Sequence, residues 1–241
     1  MQNFTEILAS NWTDHFQCPV STIERSGTTL LPNNQYANQK LVVLWHIGRH
    51  SFVVCDPLCL TRLNAITATL PADTSLSGQH LRLSLGANEI VSHDIGAVHY
   101  LFPSDLPALA SPHPFSLRQL ALTDQEYMRI LANNCTAEEV DEGYVEVDHE
   151  IAFGCFLDSQ LVAAASGYRR TGFMDIGVLT HAGFRKLGLG KTVVRAICEW
   201  TIARDIIAQY RCNIHNTGSL GVARALGFKH YYSSESITLA Q

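Results

Sequence analysis

The most informative absences from this 241-residue sequence are long apolar runs, an excess of positive charge and a dense cysteine pattern. No stretch approaches the roughly 18 to 20 uninterrupted apolar residues that cross a bilayer, so we expect no transmembrane helix and no membrane partner. The formal charge of −5 lacks the basic excess that attracts nucleic acids and anionic membranes. Nucleic acid is therefore not an expected partner either.

The cysteines and the start of the chain argue against a secreted protein. Seven cysteines show no regular disulfide framework, and the first residues lack a basic region followed by an apolar one. We therefore expect reduced thiols and a cytoplasmic location. His46, His50, Cys55 and Cys59 lack the spacing of a standard zinc finger, so no metal site is expected. Internal repeats and low-complexity runs are also missing.

The composition of the chain is typical of a folded protein, with 46% hydrophobic and 16% charged residues. Half of the eight prolines lie within 103–114, and proline removes a backbone donor and disfavours helix in the residue before it. We therefore predict a linker that separates domains at 1–110 and 113–241. The first is expected to be a smaller α/β domain.

Periodicity predicts the elements of that first domain. They are a helix at 4–16, a hairpin of strands at 41–47 and 51–56, a helix near 57–69, and strands near 81–85 and 97–102. None of these segments carries a motif with recognisable chemistry. The first domain therefore gives a fold class and no function.

The same reasoning predicts an alternating order of strands and helices in the second domain. The elements are a strand at 115–120, a helix to about 133, a short helix opened by Thr136 and Glu139, a hairpin of 151–157 and 161–168, a strand at 175–179, a helix at 189–203, a strand at 210–214, a short helix and a final strand. This order predicts an α/β fold with a mixed sheet.

The segment 175–192, DIGVLTHAGFRKLGLGKT, joins an apolar strand to an amphipathic helix through two glycines. A helix N-terminus offers free backbone N–H groups and the positive end of the helix dipole, which suit a phosphate-bearing ligand. The nucleoside triphosphate loop fails in both frames, since Arg185 or Leu189 replaces a required residue. The dinucleotide loop fails because Val193 replaces its third glycine. A tight turn without a ligand stays open on this segment alone.

A second motif lies within 207–228, where a strand-like run ends at an asparagine and a short helix closes on Gly-Phe. Both motifs together resemble the GNAT superfamily of N-acetyltransferases, whose signature is Gln/Arg-x-x-Gly-x-Gly/Ala followed downstream by Asn-x-x-Ser and Gly-Phe. The matching residues are Arg185, Gly188, Gly190, Asn216, Ser219, Gly227 and Phe228. The N-terminal half reproduces no such signature, so we interpret it as a divergent accessory domain or a degenerate GNAT-like half.

The resemblance implies a GNAT acyl-CoA N-acyltransferase fold, acetyl-CoA as cosubstrate and a small amine or peptide amine as acceptor. Transfer would be direct, in a ternary complex, with a backbone N–H near Val178 polarising the thioester carbonyl. A homodimer is left open. The residues implied to bind the cosubstrate are Ile176, Val178, Leu179, Arg185, Lys186, Leu187, Gly188, Leu189, Gly190, Lys191, Asn216 and Ser219.

The identity of the catalytic base and acid is less determined. The base candidates are Glu146, Glu150, Asp175 and His181, with His149 beside them, and each has an ordinary alternative as a solvated or hydrogen-bonded side chain. Ala223 occupies the position where many GNAT enzymes carry a tyrosine that protonates the thiolate. Either no general acid operates, or another group such as Tyr210, Tyr231 or Tyr232 replaces it. The alternative function is a non-catalytic acyl-CoA sensor or regulatory module.

Overall fold

A computed structural model describes residues 4–108 and 114–240. These residues form two compact units. The first contains the described residues up to Val98 together with those from Tyr231 onward, and the second is His99–His230. Both units combine helices with strands, so the expected mixed α/β class is confirmed. Among the described residues, no helix is both long and apolar enough to cross a membrane.

The expected linker is only partly described, because residues 109–113 lie outside the described ranges. The units meet in sequence at Val98 and His99, earlier than the expected linker, and the chain returns to the first unit after His230. Compactness does not show which part folds independently. The domain limits 1–110 and 113–241 therefore stay a prediction.

The elements follow one another closely along the chain. The strands are β1 (Gly27–Pro32), β2 (Leu41–Ile47), β3 (His50–Cys55), β4 (Ile90–Tyr100), β5 (Ser116–Gln119), β6 (Ile151–Leu157), β7 (Gln160–Arg170), β8 (Phe173–Thr180), β9 (Ala208–Asn213) and β10 (Lys229–Leu239). The helices are α1 (Phe4–His15), α2 (Val20–Ile23), α3 (Leu60–Ala68), α4 (Gly78–Leu85), α5 (Gln125–Ala132), α6 (Ala137–Gly143), α7 (Leu189–Ile202) and α8 (Thr217–Ala225).

In the first unit the strand order is β1-β3-β2-β10-β4. The predicted hairpin is confirmed, since β2 and β3 pair antiparallel and turn at Gly48, whose φ of +61° suits glycine. β3 also pairs parallel with β1 along its whole length. The final strand, expected to close the second domain, instead pairs antiparallel with β2, so most of β10 belongs to the first unit.

The prediction of a strand near 81–85 is wrong, because this run belongs to helix α4. The alternation of leucine with polar residues suits a strand, but Ser77 caps the helix by accepting the His80 N–H at 3.4 Å. Leu81 is fully buried whereas Leu83 is exposed, as the 3.6-residue helical period requires. The local cap therefore outweighs the apparent two-residue pattern.

A carboxylate, Glu235, is buried within the first unit. His46 Nε2 lies 2.7 Å from one of its oxygens, His93 Nε2 lies 2.6 Å from the other, and the Gly78 N–H donates at 2.9 Å. Burial alone would raise the pKa of Glu235, but the hydrogen bonds from His46, Gly78 and His93 outweigh it and lower the pKa to about 2. The charge is therefore stabilised by three donors.

In the second unit the strand order is β9-β8-β7-β6-β5. The predicted order of elements is confirmed from β5 to α8, with ends within a few residues of those expected. Helix α7 buries Val193, Val194 and Ile197 against one face of the sheet, as its periodicity indicates. Helices α5 and α6 cover a separate apolar cluster that includes alternate residues of the same strands. The sheet is thus covered on both faces.

Candidate functional site

The sheet of the second unit opens between its parallel strands β8 and β9. β8 pairs with β7 from Phe173 to Thr180, but it pairs with β9 only at Met174 and Asp175. Beyond Asp175, no register partner of β8 on the β9 side occurs in the described part of the chain. The second half of β8 therefore keeps one edge outside the ladder.

The direction of the backbone groups shows which N–H groups lie on that edge. The Met174 N–H donates to Ile207 O at 2.9 Å, on the β9 side, whereas the His181 N–H donates to β7 at 3.0 Å. Because N–H groups alternate sides along a strand, those of Val178 and Thr180 point to the β9 side. Both lie past the last register pair, so they are free of the ladder.

Helix α7 begins next to the open edge without a side-chain cap. Its N-cap is Gly188, whose φ of +84° is a left-handed conformation that favours glycine. A Cβ on Gly190 would lie 3.4 Å from Thr180 Oγ1 and 3.7 Å from Val178 Cγ2, which places the first turn beside the end of β8. The N–H groups of 189–191 have no intrahelical acceptor. Strand edge and helix end thus form one run of backbone donors.

The cationic residues near this helix end differ in their pairing. Arg185 donates to Glu139 at 2.8 Å, and both side chains are partly exposed. Within residues 4–108 and 114–240, Lys186 and Lys191 form no ion pair. The predicted binding residues Ile176, Leu179 and Leu189 have buried side chains, while Leu187 is exposed. Only the backbone of Ile176 and Leu189 can therefore contact a ligand, because the backbone groups of Leu179 face β7.

Asn216 and Ser219, predicted to bind a ligand, form the cap of helix α8. Asn216 Oδ1 accepts the Ser219 N–H at 3.0 Å, and Asn216 Nδ2 donates to Glu142 at 3.2 Å. The sequence motif therefore has a local structural reason, since this side chain satisfies a free donor at a helix start. The contact with Glu142 also links the end of α6 to the start of α8.

Two of the base candidates are engaged in other contacts. Glu150 pairs with Arg169 at 3.0 Å on the surface. His181 Nδ1 accepts the Gly183 N–H at 3.0 Å and so stabilises the turn before α7. His181 follows Asp175 by six residues of extended chain, which is about 20 Å. The structure therefore does not bring His181 and Asp175 together.

Asp175 is buried and its carboxylate is surrounded by donors. The Tyr168 hydroxyl donates at 2.9 Å, Gln209 Nε2 at 3.2 Å and Arg211 Nε at 2.7 Å. Tyr100 extends the network by donating to Gln209 Oε1 at 2.7 Å. Asp175 is thus a fixed ionic link at the last register pair of β8 and β9.

Glu146 and His149 lie on the face that α6 covers. The fully buried Ser166 accepts the Glu146 N–H at 3.1 Å, and its Oγ lies 2.8 Å from His149 Nδ1. Burial lowers the pKa of His149, against the opposing charges of Asp148 and Glu146. His149 also borders an open pocket of about 340 Å³ between 119–122 and 147–152.

The sequence reasoning missed the rings next to His149. The centroids of Tyr144 and Tyr168 each lie 5.0 Å from that of His149, and they lie 5.2 Å from each other. No local pattern joins these residues, since Tyr168 reaches the site through its antiparallel register with Asp175. The only signal in the sequence is the alternation of side chains along β7, which puts Tyr168 on the same face of the sheet as Ser166.

The possible proton donors are not equally placed. Ala223 is buried in α8 and offers no hydroxyl. The Tyr210 hydroxyl is buried beside Ser219, and no hydrogen bond of normal geometry to it occurs among the described residues. Burial raises the pKa of Tyr210. Tyr231 and Tyr232 belong to the first unit.

Comparison with known proteins identifies this region. Residues 148–234 match the family model of the GNAT acetyltransferases. No curated protein matches the chain. The expected resemblance is therefore confirmed for the C-terminal half, where residues 148–234 form a GNAT acetyltransferase domain.

Solved structures share the fold over most of the chain. An acetyltransferase of the GNAT family from Colwellia psychrerythraea is 14% identical, with 85% of this chain and 84% of that chain covered and a TM-score of 0.53. A GCN5-related N-acetyltransferase from Sphaerobacter thermophilus is 11% identical, with coverages of 79% and 73% and a TM-score of 0.54. One from Kribbella flavida is 17% identical, with coverages of 70% and 65% and a TM-score of 0.50, so this chain spans just under two thirds of its length.

Proposed function

We propose that the GNAT acetyltransferase domain transfers an acetyl group from acetyl-CoA to a primary amine, by direct transfer in a ternary complex. One observation carries the proposal: the free edge of β8 ends beside the uncapped N-terminus of α7. An extended amide-containing arm needs backbone partners along a strand, and a pyrophosphate needs the N–H groups of a helix start. Acyl-CoA contains both groups in this order.

The roles of the binding residues follow from their places. The backbone of Ile176 and Val178 would hold the pantetheine arm along about 13 Å of strand up to Thr180, whereas Leu179 directs its backbone groups to β7. The N–H groups of 186–191 would hold the pyrophosphate, with Lys186 and Lys191 adding positive charge. The remaining proposed contacts are Arg185 at the loop entrance and Asn216 with Ser219 beside the arm.

The reaction would need little from the side chains. The nitrogen of the neutral amine attacks the thioester carbonyl carbon, an N–C bond forms, and the C–S bond breaks. The amine nitrogen loses one proton and the departing sulfur gains one. The Val178 N–H would stabilise the oxyanion, a contribution for which a fixed backbone donor suffices.

Substitution of Gly190 by aspartate tests the donor site. Alanine is too mild a change, because the family signature accepts it at this position. A Cβ on Gly190 would make ordinary contacts with the protein, so the fold should tolerate the side chain, but the carboxylate would add a negative charge at the helix start proposed to face the pyrophosphate. We expect Gly190→Asp to weaken acetyl-CoA binding about tenfold or more in calorimetry, since like charges repel. Gly221→Asp is the matched control, because a Cβ there meets nothing within 4 Å.

Either of two outcomes would contradict the donor site. If the wild-type protein does not bind acetyl-CoA at about millimolar ligand, it has no such site. Millimolar affinity corresponds to a binding free energy of only about −4 kcal/mol. Equal affinity in Gly190→Asp and Gly221→Asp would place the ligand elsewhere. Thermal unfolding of both variants confirms that the comparison is between folded proteins.

A non-catalytic acyl-CoA sensor is the second candidate, and Ala223 favours it. A buried methyl group stands where a hydroxyl would protonate the leaving thiolate, and the Tyr210 hydroxyl is enclosed in the core. Thiol release from acetyl-CoA across amines, amino acids, polyamines and peptides separates the candidates. Steady release with any acceptor supports the transferase, whereas tight binding without release supports the sensor.

Location and assembly are also proposals. All seven cysteines are free thiols, which fits a reducing compartment, and we retain the cytoplasm as the proposed location. A small amine or peptide amine remains the proposed acceptor, and a homodimer remains open. Expression of 113–241 alone, compared with the full chain, tests the proposed domain limits.

A further inference from the structure

The rings of Tyr144, His149 and Tyr168, here called the ring cluster, are held beside the free edge of β8 by close backbone packing. A Cβ on Gly177 would overlap the carbonyl oxygen of Gly143, and a Cβ on Gly143 would lie 2.9 Å from the carbonyl oxygen of Val178. The chain leaving α6 therefore crosses β8 in direct contact. Tyr144 is the next residue, so its ring lies where β8 separates from β9.

Tyr144 has a conformation that glycine adopts more easily. It ends α6 in the left-handed region, with φ of +42° and ψ of +57°, where glycine is the usual residue. The residue is also 52% exposed, so it contributes little to the core. A large side chain kept in an unfavourable conformation at a surface position points to a role other than folding.

The other two rings of the cluster are fixed by hydrogen bonds. The Tyr168 hydroxyl donates to Asp175, which holds the ring against the strand. Ser166 already accepts the Glu146 N–H, so its own buried proton is satisfied if it donates to His149 Nδ1. His149 is then the neutral tautomer with hydrogen on Nε2, which does not repel a cation.

The charged groups around the ring cluster favour a cationic ligand. Arg169 and Arg211 are paired with Glu150 and Asp175. Glu142 accepts a hydrogen bond from Asn216, a neutral group that offsets no charge. Among the described residues, the remaining nearby carboxylates make no ion pair; they are Glu146 and Asp148. Arg170 also acts on Tyr168 and makes no ion pair among the described residues, so it offsets one of these three carboxylates. The uncompensated charge is therefore still negative.

From these observations we infer that the ring cluster is the acceptor subsite and that the acceptor is a cationic alkylamine without a carboxylate, such as an aliphatic diamine. The inference rests on the proposed function, because it takes β8 as the strand that holds the acyl donor. Ring faces attract an ammonium group within about 6 Å of their centroids. The surrounding carboxylates strengthen this attraction and repel an acidic acceptor, while the second amino group would react as the neutral amine.

Two acceptors of equal chain length test the charge preference. We expect 1,4-diaminobutane to be acetylated with a kcat/KM about tenfold or more above that of 4-aminobutanoate, in which a carboxylate replaces one aminomethyl group. The ratio should fall as salt is added, since exposed charges are screened. Equal kcat/KM values, or a preference for 4-aminobutanoate, would overturn the inference.

Tyr144 offers a variant that removes the ring without straining the backbone. Tyr144→Gly should keep or raise Tm, because glycine adopts positive φ freely, yet it should raise the KM for the diamine about fivefold. Tyr144→Phe keeps a ring face and should stay within about twofold of wild type. A wild-type KM in Tyr144→Gly would show that the ring binds no acceptor.

Calorimetry of 1,4-diaminobutane into CoA-saturated protein separates this inference from the proposed function. Diamine binding that Tyr144→Gly weakens, without any transfer, supports the subsite and contradicts the transferase. Transfer to amines that Tyr144→Gly leaves unchanged supports the transferase and contradicts the subsite. Wild-type protein that binds neither acetyl-CoA nor diamine contradicts both.

Discussion

Each unit of the protein contains a pair of parallel strands, and the two pairs differ in how far they stay together. β1 and β3 keep register over six residues each, from Gly27 and His50 to Pro32 and Cys55. β8 and β9 keep it only at Met174 and Asp175. Each backbone hydrogen bond given up costs about 1 kcal/mol. An open strand edge is therefore expected where a ligand can replace the missing partners.

Two of the buried carboxylates, one from each unit, differ in a related way. Glu235 is enclosed by two imidazoles and a backbone N–H inside the first unit. Asp175 lies at the last register pair, and its partner Arg211 is partly exposed. The first arrangement stabilises a closed region, whereas the second fixes the point at which the sheet opens.

Proline substitutions should give the largest contrast between the two strand pairs. Val53 lies in register with both Leu30 and Leu44, so Val53→Pro removes a ladder bond and should lower the free energy of unfolding by about 3 kcal/mol or more. The Val178 N–H is outside the ladder, so Val178→Pro should fold. It should still lower acetyl transfer about 100-fold, because the proposed oxyanion donor is lost.

Urea unfolding and thiol release measure the two effects separately. Similar destabilisation in both proline variants would mean that the edge of β8 is paired in solution. Full transfer by folded Val178→Pro would mean that another donor stabilises the oxyanion.

Removing the enclosed charge should have the next largest effect. The pKa of Glu235 falls from the ordinary 4.5 to about 2 in the folded protein, which corresponds to about 3 kcal/mol at neutral pH. Because the folded-state pKa is depressed, this stability is present above pH 4.5 and is lost as the pH falls through about 2. Glu235→Gln should therefore destabilise most at neutral pH, in urea unfolding at several pH values.

The acetyl-CoA affinity of Glu235→Gln provides the control, and it should equal that of wild type. A destabilisation that does not shrink between pH 4.5 and pH 2 would show that the carboxylate charge contributes nothing, and that the loss comes from packing.

Asp175→Asn should have a smaller effect on stability, of about 1 to 2 kcal/mol, because Arg211 can turn to solvent when its partner is neutral. We expect acetyl-CoA binding to change by less than about threefold, since Asp175 fixes the strands and contacts no proposed donor group. The pH profile of kcat/KM should keep its shape. Loss of one limb of that profile, with a large fall in rate, would identify Asp175 as the general base instead.

The sequence was sufficient to predict the parts of the site that depend on local chemistry. Gly188 and Gly190 mark a strand-to-helix turn because few other residues fit there, and Thr136 with Glu139 forms the expected capping box. The motif with Asn216 and Ser219 likewise has a local hydrogen bond behind it.

The parts that depend on strand pairing could not be predicted. The separation of β8 from β9, the placing of Tyr168 opposite Asp175 and the pairing of β10 with β2 all join residues far apart in sequence. Their register is set by the whole sheet, which no local pattern encodes. The prediction of a strand at 81–85 was wrong for the opposite reason, because the local cap at Ser77 outweighs the apparent two-residue periodicity of this run.

Hydrogen–deuterium exchange of single amides tests the open edge most directly. In the free protein, the Val178 amide should exchange about 100-fold faster than the Val53 amide. Val53 lies in β3, which is paired on both sides, whereas β8 has one open edge at Val178. Saturating acetyl-CoA should slow Val178 about tenfold or more and leave Val53 unchanged. A Val178 amide as protected as Val53 without ligand, or insensitive to acetyl-CoA, would contradict the account.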